Sequence, residues 1–201
     1  MLSKPNAIER LALTLFLLLI CLSAGLYLYS KLYPTPAAAP YQQLGGDFTL
    51  DHVTGPITLS GFSGRGVVMM FGYSSCPDIC PSGLANLAAA LSRLSNTQQQ
   101  QVQPLFISVD PERDTPEQLD QYSRYFYPTL LGLTANKATI DSVVNAYGAF
   151  YRKVEMPGSA LDYSVDHSAR IYLIDRNGQL VNTLNHNTPV AEFAAAIQQL
   201  L

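Results

Sequence analysis

The hydrophobic positions divide the chain into one long apolar segment and a later region where short apolar runs alternate with helical patterns. Residues 11–30 contain no charged side chain and consist mostly of leucine, alanine, isoleucine and aromatic residues. At roughly 1.5 Å per residue, such a helix comes close to the ~30 Å hydrocarbon core of a membrane. Because the run is longer than the apolar part of a signal peptide, we expect an uncleaved transmembrane anchor; a cleaved signal peptide is the alternative.

The flanking charges predict an orientation for this segment. Lys4 and Arg10 precede it and Lys31 follows it, a small excess of positive charge at its N-terminal end. The positive-inside rule then favours a cytoplasmic N-terminus at 1–10 and an exported domain. So short an N-terminus leaves no room for an organelle presequence, so we expect a single-pass protein of the bacterial inner membrane with its domain in the periplasm. Residues 31–45 are predicted to be a proline- and alanine-rich tether.

Strand and helix patterns alternate through residues 46–201, which we expect to form one domain. Apolar or alternating runs predict strands at 47–50, 57–59, 67–73, 104–109, 169–174 and 180–183. Helical spacing and start signals predict helices at 81–94, from 116 onward, at 137–147 and at 189–201. This order, with an Asn-Gly hairpin turn at 177–178, predicts an α/β domain with a central mixed sheet flanked by helices. A thioredoxin-like fold fits it best.

Cys76 and Cys80 lie at the turn between a predicted buried strand and a predicted helix. A proline follows each, and Pro81 is a favourable first helical residue, which makes Cys80 the predicted helix cap. Its thiol would then face the positive end of the helix dipole, which favours the thiolate. Two thiols at such a turn can cycle with a disulfide or bind a soft metal ion. A static disulfide would close too short a loop to add much stability.

Imidazole is a common additional donor for Cu(I), so the histidines are candidate ligands. His167 directly precedes a predicted core strand, and its neighbour Asp166 is a candidate partner for the ring. His52 and His186 lie in polar, turn-like stretches, and we expect both at the surface. The spacing of these residues does not by itself single out His167.

Other residues with chemical potential have simpler interpretations. Met69 and Met70 offer thioether sulfur, but neighbours on a strand point to opposite faces, so we expect core packing. Cys21 lies in the predicted anchor and is expected to be inert. The charged run at 110–114 is either a catalytic group or a turn whose charges pair locally before a helix cap. The net charge of −3, without a Lys/Arg cluster, excludes nucleic acid as an expected partner.

The chain closely resembles the SCO/SenC family of membrane-anchored copper proteins. The matching stretches are residues 71–81, 106–116, 132–134 and 165–168, in family order. The Cys-Pro-x-x-Cys-Pro element and the Asp-Pro-Glu-Arg-Asp-Thr-Pro run are the most specific of these. One departure is Ser75, where many members carry histidine, but that position is not a family copper ligand.

The resemblance implies a thioredoxin-like fold and a copper site, for Cu(I) or Cu(II), made by Cys76, Cys80 and His167. It also implies a role in maturing the binuclear copper centre of cytochrome c oxidase, with the copper-centre subunit and a copper donor protein as partners. Copper delivery by a metallochaperone is the first hypothesis. The second is a thiol–disulfide oxidoreductase in which Cys76 and Cys80 reduce the cysteines of an oxidase subunit. A peroxiredoxin-like peroxidase is disfavoured, because Tyr73 stands where its threonine is expected.

Overall fold

The computed structural model describes residues 7–32, 41, 43–159 and 161–201. The chain divides into two compact units, Met1–Ala39 and Pro40–Leu201. In the first unit, helix α1 covers Ala7–Leu32 and includes the segment predicted to be the anchor. Within the described residues no helix is both long and apolar enough to cross a membrane, so the predicted span is not confirmed. Residues 1–6 of the predicted N-terminus and 33–40 and 42 of the predicted tether lie outside the described residues.

The second unit is built on strands that the sequence patterns largely predicted. The strands are β1 (Thr49–His52), β2 (Gly55–Thr58), β3 (Gly66–Gly72), β4 (Val102–Ser108), β5 (Leu131–Leu133), β6 (Tyr151–Glu155), β7 (Tyr163–His167), β8 (Arg170–Ile174) and β9 (Leu180–Asn185). Five of them form the central sheet in the order β5-β4-β3-β8-β9. Strands β3, β4 and β5 are parallel, whereas β8 runs antiparallel to both β3 and β9. The predicted mixed sheet is therefore confirmed.

Helices cover both faces of this sheet. They are α2 (Ile79–Leu91), α3 (Asn96–Gln99), α4 (Pro116–Phe126), α5 (Lys137–Ala146) and α6 (Val190–Gln198), with a short 3-10 helix at Leu59–Phe62. Helices α2, α4 and α6 pack their apolar sides into one buried cluster. Helix α5 and the β1–β2 hairpin contribute to the cluster on the other face. The arrangement is the predicted thioredoxin-like α/β fold.

The central strand β3 supplies both hydrophobic clusters. Met69 and Phe71 belong to the cluster under α5, while Val68 and Met70 belong to the cluster under α2 and α6. All four side chains are buried, as expected of a strand covered on both faces. The prediction that Met69 and Met70 pack in the core is confirmed. Because β3 is fixed so firmly, the loop that follows Gly72 starts from a well-defined position.

Several features differ from the predictions. Helix α2 begins at Ile79, before the proline that was predicted to open it. Neither the short strand β5 nor the four-residue helix α3 was predicted. A further difference is a separate antiparallel hairpin, β6–β7, in which Tyr151 pairs with His167. This hairpin lies outside the central sheet and has a mostly half-exposed pattern, so it lacks the apolar signal of the other strands.

Helix α4 packs unusually close to β5. A Cβ atom built on Gly132 would lie 2.4 Å from the carbonyl oxygen of Leu119, so only glycine allows this approach. Leu119 is fully buried, whereas Tyr125 on the same helix is 85% exposed. Helix α4 is thus anchored mainly through its inner face.

Replacing Leu119 by alanine should destabilise the domain. We expect Leu119→Ala to lower the free energy of unfolding by about 2–5 kcal/mol, because a buried cavity is left between α4 and the sheet. Tyr125→Ala on the same helix is the matched control and should change it by about 0.5 kcal/mol or less. Urea denaturation of the purified chain measures both, and equal effects of the two substitutions would contradict the packing described here.

Candidate metal centre

Three soft or borderline donor atoms converge at one end of the central sheet. The sulfur atoms of Cys76 and Cys80 and a ring nitrogen of His167 all lie within 4.8 Å of one another. The Cys80 Sγ and the His167 Nε2 are 3.3 Å apart. Among the described residues, this is the only group of three or more histidine, cysteine or acidic side chains that could hold a metal ion. The structure therefore brings together the three residues that the sequence analysis selected.

The start of helix α2 positions the two cysteines differently from the prediction. The helix cap is Asp78, which makes no side-chain capping bond, and Cys80 lies inside the first turn. The backbone N–H of Cys80 points at the Cys76 sulfur, with 3.4 Å between the two atoms. The N–H groups at the start of the helix thus donate toward the Cys76 sulfur. The prediction that Cys80 occupies the cap is wrong.

This geometry makes the two thiols chemically unequal. Cys76 is half-buried, and its pKa is lowered to about 3, chiefly because the Cys80 thiol donates a hydrogen bond to it. His167 and the backbone N–H groups of Asp78 and Cys80 lower that pKa further, whereas partial burial opposes them. The pKa of Cys80 is raised above its ordinary value by the same hydrogen bond and by burial. Cys76 is therefore the thiolate, and both cysteines are free of disulfides.

The Cys80 sulfur is seated directly against strand β3. Cys80 has no exposed surface and packs in the cluster with Leu84 and Phe106. A Cβ atom built on Gly72 would lie 2.6 Å from both the Cys80 sulfur and the Phe106 ring. The sulfur of Cys80 thus occupies the space that a side chain at position 72 would need, so this position requires glycine.

His167 is presented by the end of strand β7. Its Nδ1 lies 3.2 Å from the carbonyl oxygen of Ser168, which can only accept, so this nitrogen carries the proton. The Nε2 atom on the other side of the ring faces the Cys80 sulfur. The prediction that Asp166 orients the ring is wrong, since that carboxylate pairs with Arg152 at 2.7 Å instead.

The remaining histidines lie outside the group of three. His52 is buried, not at the surface as predicted. Its polar ring atoms have neighbours inside the domain: the Thr54 hydroxyl lies 2.9 Å from Nδ1, and the Asp120 carboxylate lies 3.3 Å from Nε2. His186 is half-buried, and its carbonyl accepts a hydrogen bond from Asn86. Cys21 is an exposed free thiol on α1 and is not a member of the group.

The charged run at 110–114 forms the locally paired turn that was one of its two interpretations. Arg113 pairs with Asp110, and Thr115 then caps helix α4 with the predicted capping box. This turn has a further function that no sequence pattern indicated. The buried Asp114 carboxylate accepts hydrogen bonds from the Ser74 N–H at 2.9 Å and from the hydroxyl groups of Ser74 and Ser108, so it fixes the cysteine loop.

The chemistry of the donor set is that of a site for a soft cation. Two sulfurs, one of them already a thiolate, and an imidazole nitrogen are the ligands that Cu(I) prefers. The positions of the three donor atoms leave room for one ion between them, and no carboxylate belongs to the group. The residues present therefore fit a copper ion.

The comparisons with known proteins agree with this geometry. The family model described as SCO1/SenC matches residues 36–201. This chain belongs to the SCO1/SenC family. The mitochondrial protein SCO2 of Saccharomyces cerevisiae is 37% identical over 180 residues, which is 84% of this chain and 60% of that protein. The chain spans as little as 44% of another curated relative, so it corresponds to only part of these proteins.

Solved structures of the family share the fold. The copper-bound ScoI of Bradyrhizobium japonicum is 36% identical, with a TM-score of 0.71 over 79% of this chain and 99% of that one. BsSco, described as a member of the Sco family of cytochrome c oxidase assembly proteins, has a TM-score of 0.63. Its 22% identity, over 81% of this chain and 96% of that one, shows a common fold alone.

The low pKa of Cys76 predicts an unusual alkylation profile. In a Cys21→Ser background, iodoacetamide should modify Cys76 at a nearly constant rate from about pH 8 to about pH 5, because the sulfur stays deprotonated above about pH 3. An ordinary thiol would lose about tenfold in rate for each pH unit below its pKa. Peptide mass mapping measures the rate at each pH.

A variant of the partner thiol serves as the control. Cys80→Ala removes the main hydrogen-bond donor and should move the alkylation profile to higher pH. If the rate at Cys76 already falls steeply below about pH 8 in the chain with Cys80 intact, the assignment of the thiolate is wrong.

Proposed function

We propose that this protein is a membrane-anchored copper chaperone that helps to assemble the binuclear copper centre of cytochrome c oxidase. The observation that carries the proposal is the convergence of Cys76, Cys80 and His167 at the end of the central sheet. Copper is the cargo, held as Cu(I) or Cu(II) by the two sulfurs and the ring nitrogen. The soft donor set favours Cu(I) of the two.

Relatives support this proposal. Sco family proteins take part in cytochrome c oxidase assembly, and the Bradyrhizobium ScoI has been solved with copper bound. This chain belongs to the same family and has the residues of a three-donor copper site. We therefore propose the copper-centre subunit of the oxidase and a copper donor protein as its partners.

The exposure of the three residues suggests how the cargo passes to an acceptor. Cys80 is fully buried, while Cys76 and His167 are partly exposed at a groove that Pro77, Ile79 and Ser164 also line. An acceptor ligand approaching through this groove reaches Cys76 and His167 first. Cys80 then holds the ion from the interior while the outer bonds are exchanged.

We also propose a place for the protein in the cell. A helix at 11–30 would anchor it in the bacterial inner membrane, and the tether at 31–45 would carry the domain into the periplasm. The absence of charge in 11–30 and the positive residues Lys4 and Arg10 support this orientation. An acceptor in the same membrane would then lie within reach of the domain.

The ligand role of His167 can be measured directly. The purified full-length chain with Cys21→Ser should bind one Cu(I), and His167→Ala should weaken the binding at least about tenfold, or about 1.4 kcal/mol. His186→Ala is the matched control, because that histidine is half-buried and lies outside the group of three donors. Competition with a Cu(I) chelator measures the affinities.

Two results would contradict the proposal. The three-donor site fails if His167→Ala leaves the Cu(I) affinity equal to that of the control variant. The copper function as a whole fails if the chain with all three residues intact does not compete with the chelator.

A second candidate function rests on the inequality of the thiols. Cys76 is a half-exposed thiolate beside the free thiol of Cys80. In a thiol–disulfide oxidoreductase, Cys76 attacks an acceptor disulfide and one acceptor sulfur leaves as a thiolate. Cys80 loses its proton and attacks Cys76, which forms the Cys76–Cys80 disulfide and releases the reduced acceptor. A thiol donor must then reduce the protein again.

This candidate predicts a different response to mutation. Because no step of the exchange uses an imidazole ligand, His167→Ala should keep most of the rate of reduction of a disulfide peptide, whereas Cys76→Ser should abolish it. Peptide reduction is followed by mass spectrometry. A reduction potential of the cysteine pair too low for any thiol donor to reach would contradict the oxidoreductase function.

A further inference from the structure

Arg113 lies at the junction between the turn at 110–114 and the β6–β7 hairpin. Its Nε donates to the Asp110 carboxylate, and its Nη1 donates to the backbone carbonyls of Leu161 at 3.2 Å and Tyr163 at 3.0 Å. One guanidinium group therefore joins the turn after β4 to the start of strand β7. The Nη2 atom is buried and has no hydrogen-bond partner among the described residues.

Two aromatic rings enclose the same guanidinium. Its central carbon lies 3.8 Å from the ring centroid of Tyr163 and 5.4 Å from that of Tyr73. The Tyr163 hydroxyl also donates to Asp110 at 2.8 Å, so Asp110 and Arg113 contact the same tyrosine from two sides. Such contacts combine charge, hydrogen bonds and stacking, which an arginine makes together and a lysine does not.

The contacts lead directly to the His167 ring. Tyr73 directly follows strand β3, is buried and meets the His167 ring edge-to-face, with 5.8 Å between the centroids. Tyr163 and His167 are the first and last residues of β7. Arg113 thus touches the start of the strand that carries the histidine and the aromatic ring against which that histidine rests.

The two cations of the hairpin itself, Arg152 and Lys153, make more exposed ion pairs than Arg113 does. Arg152 pairs with Asp166 within the hairpin, and both side chains are more than half exposed. Lys153 joins the hairpin to Glu112 in an ion pair whose side chains are 37% and 60% exposed, and its Nζ also lies 4.3 Å from the ring centroid of Tyr163. Exposed pairs contribute little to stability, whereas Asp110, the partner of Arg113, is 2% exposed. Among these cations, only Arg113 contacts a buried carboxylate and the hairpin backbone together.

We propose that Arg113 is a positioning residue that holds the β6–β7 hairpin, and with it His167, over the cysteine pair. We call its contacts with Asp110, Leu161 and Tyr163 the Arg113 latch. This inference rests on the proposed copper function. The cysteine loop has its own support in Asp114, which binds Ser74. Loss of the Arg113 latch therefore releases His167 while the two cysteines stay in place. The protein is left with a two-sulfur site in place of a three-donor site.

The test compares Arg113→Met with Arg152→Met, a matched control that removes an exposed arginine of the hairpin itself. Hydrogen–deuterium exchange of the full-length, copper-free chain is followed separately in the hairpin, at 151–167, and in the part of the cysteine loop that Arg113 does not contact, at 74–80. We expect Arg113→Met to speed exchange in the hairpin by about tenfold or more, with the loop unchanged. The control should leave both regions unchanged.

Copper binding gives the second measurement. Displacement of His167 should weaken Cu(I) binding by about 10-fold to 100-fold, the usual effect of losing a group that orients a metal ligand. The rate of disulfide-peptide reduction should stay the same, because the cysteine loop is unaffected. A purely structural arginine would lower both activities together.

Arg113→Met leaves the buried Asp110 charge without its partner and is itself destabilising, so a second variant is needed. Arg113→Met combined with Asp110→Asn removes that charge and should recover the melting temperature but not the protection of the hairpin. The latch is overturned if hairpin exchange is unchanged in the variants, or if exchange rises equally across the central sheet in the double variant. If the unaltered chain fails to bind Cu(I), the copper function falls, while the exchange data still decide whether the latch exists.

Discussion

The contact between the Cys80 sulfur and the His167 ring joins positions that are 87 residues apart, and the site depends on it. One partner is fixed by the core, because Cys80 lies in the first turn of α2 against the glycine that ends β3. The other is carried by a hairpin that does not belong to the central sheet. The chain therefore combines one rigid and one separately supported donor. This division explains why several polar contacts near the site, such as those of Arg113 and Lys153, hold the hairpin.

The turn at 110–114 supports both halves of the site. Asp114 fixes the cysteine loop through Ser74, and Arg113 contacts the hairpin through its backbone carbonyls. Both residues follow strand β4, whose parallel pairing with β3 places the ends of the two strands side by side. Because Asp114 directly follows Arg113, the same turn supports both the cysteine loop and the hairpin.

Most of the sheet and its longer helices could be predicted from the sequence because their apolar positions repeat with the period of a strand or a helix, whereas the three-residue strand β5 is too short to show such a period. The β6–β7 hairpin could not, since its side chains are mostly half-exposed and polar contacts hold it. The start of α2 was misplaced because proline is tolerated throughout a first helical turn. His52 was expected at the surface because its partner Asp120 lies far along the chain, on helix α4, so no local pattern links the two residues. Cys76 and Cys80 were candidates from their place at a strand-to-helix turn, whereas His167 was singled out only through the family resemblance, because spacing alone did not identify it.

The pairing of a half-exposed thiolate with a buried thiol also bears on oxidative damage. A thiolate is the form of cysteine that peroxides oxidise, and its first product, a sulfenic acid, is reversible and can condense with another thiol to a disulfide. Cys80 lies within 4.8 Å of Cys76, so it can form the disulfide and release water before a second oxidation occurs. The buried sulfur can thereby protect the half-exposed one from irreversible conversion to sulfinic acid.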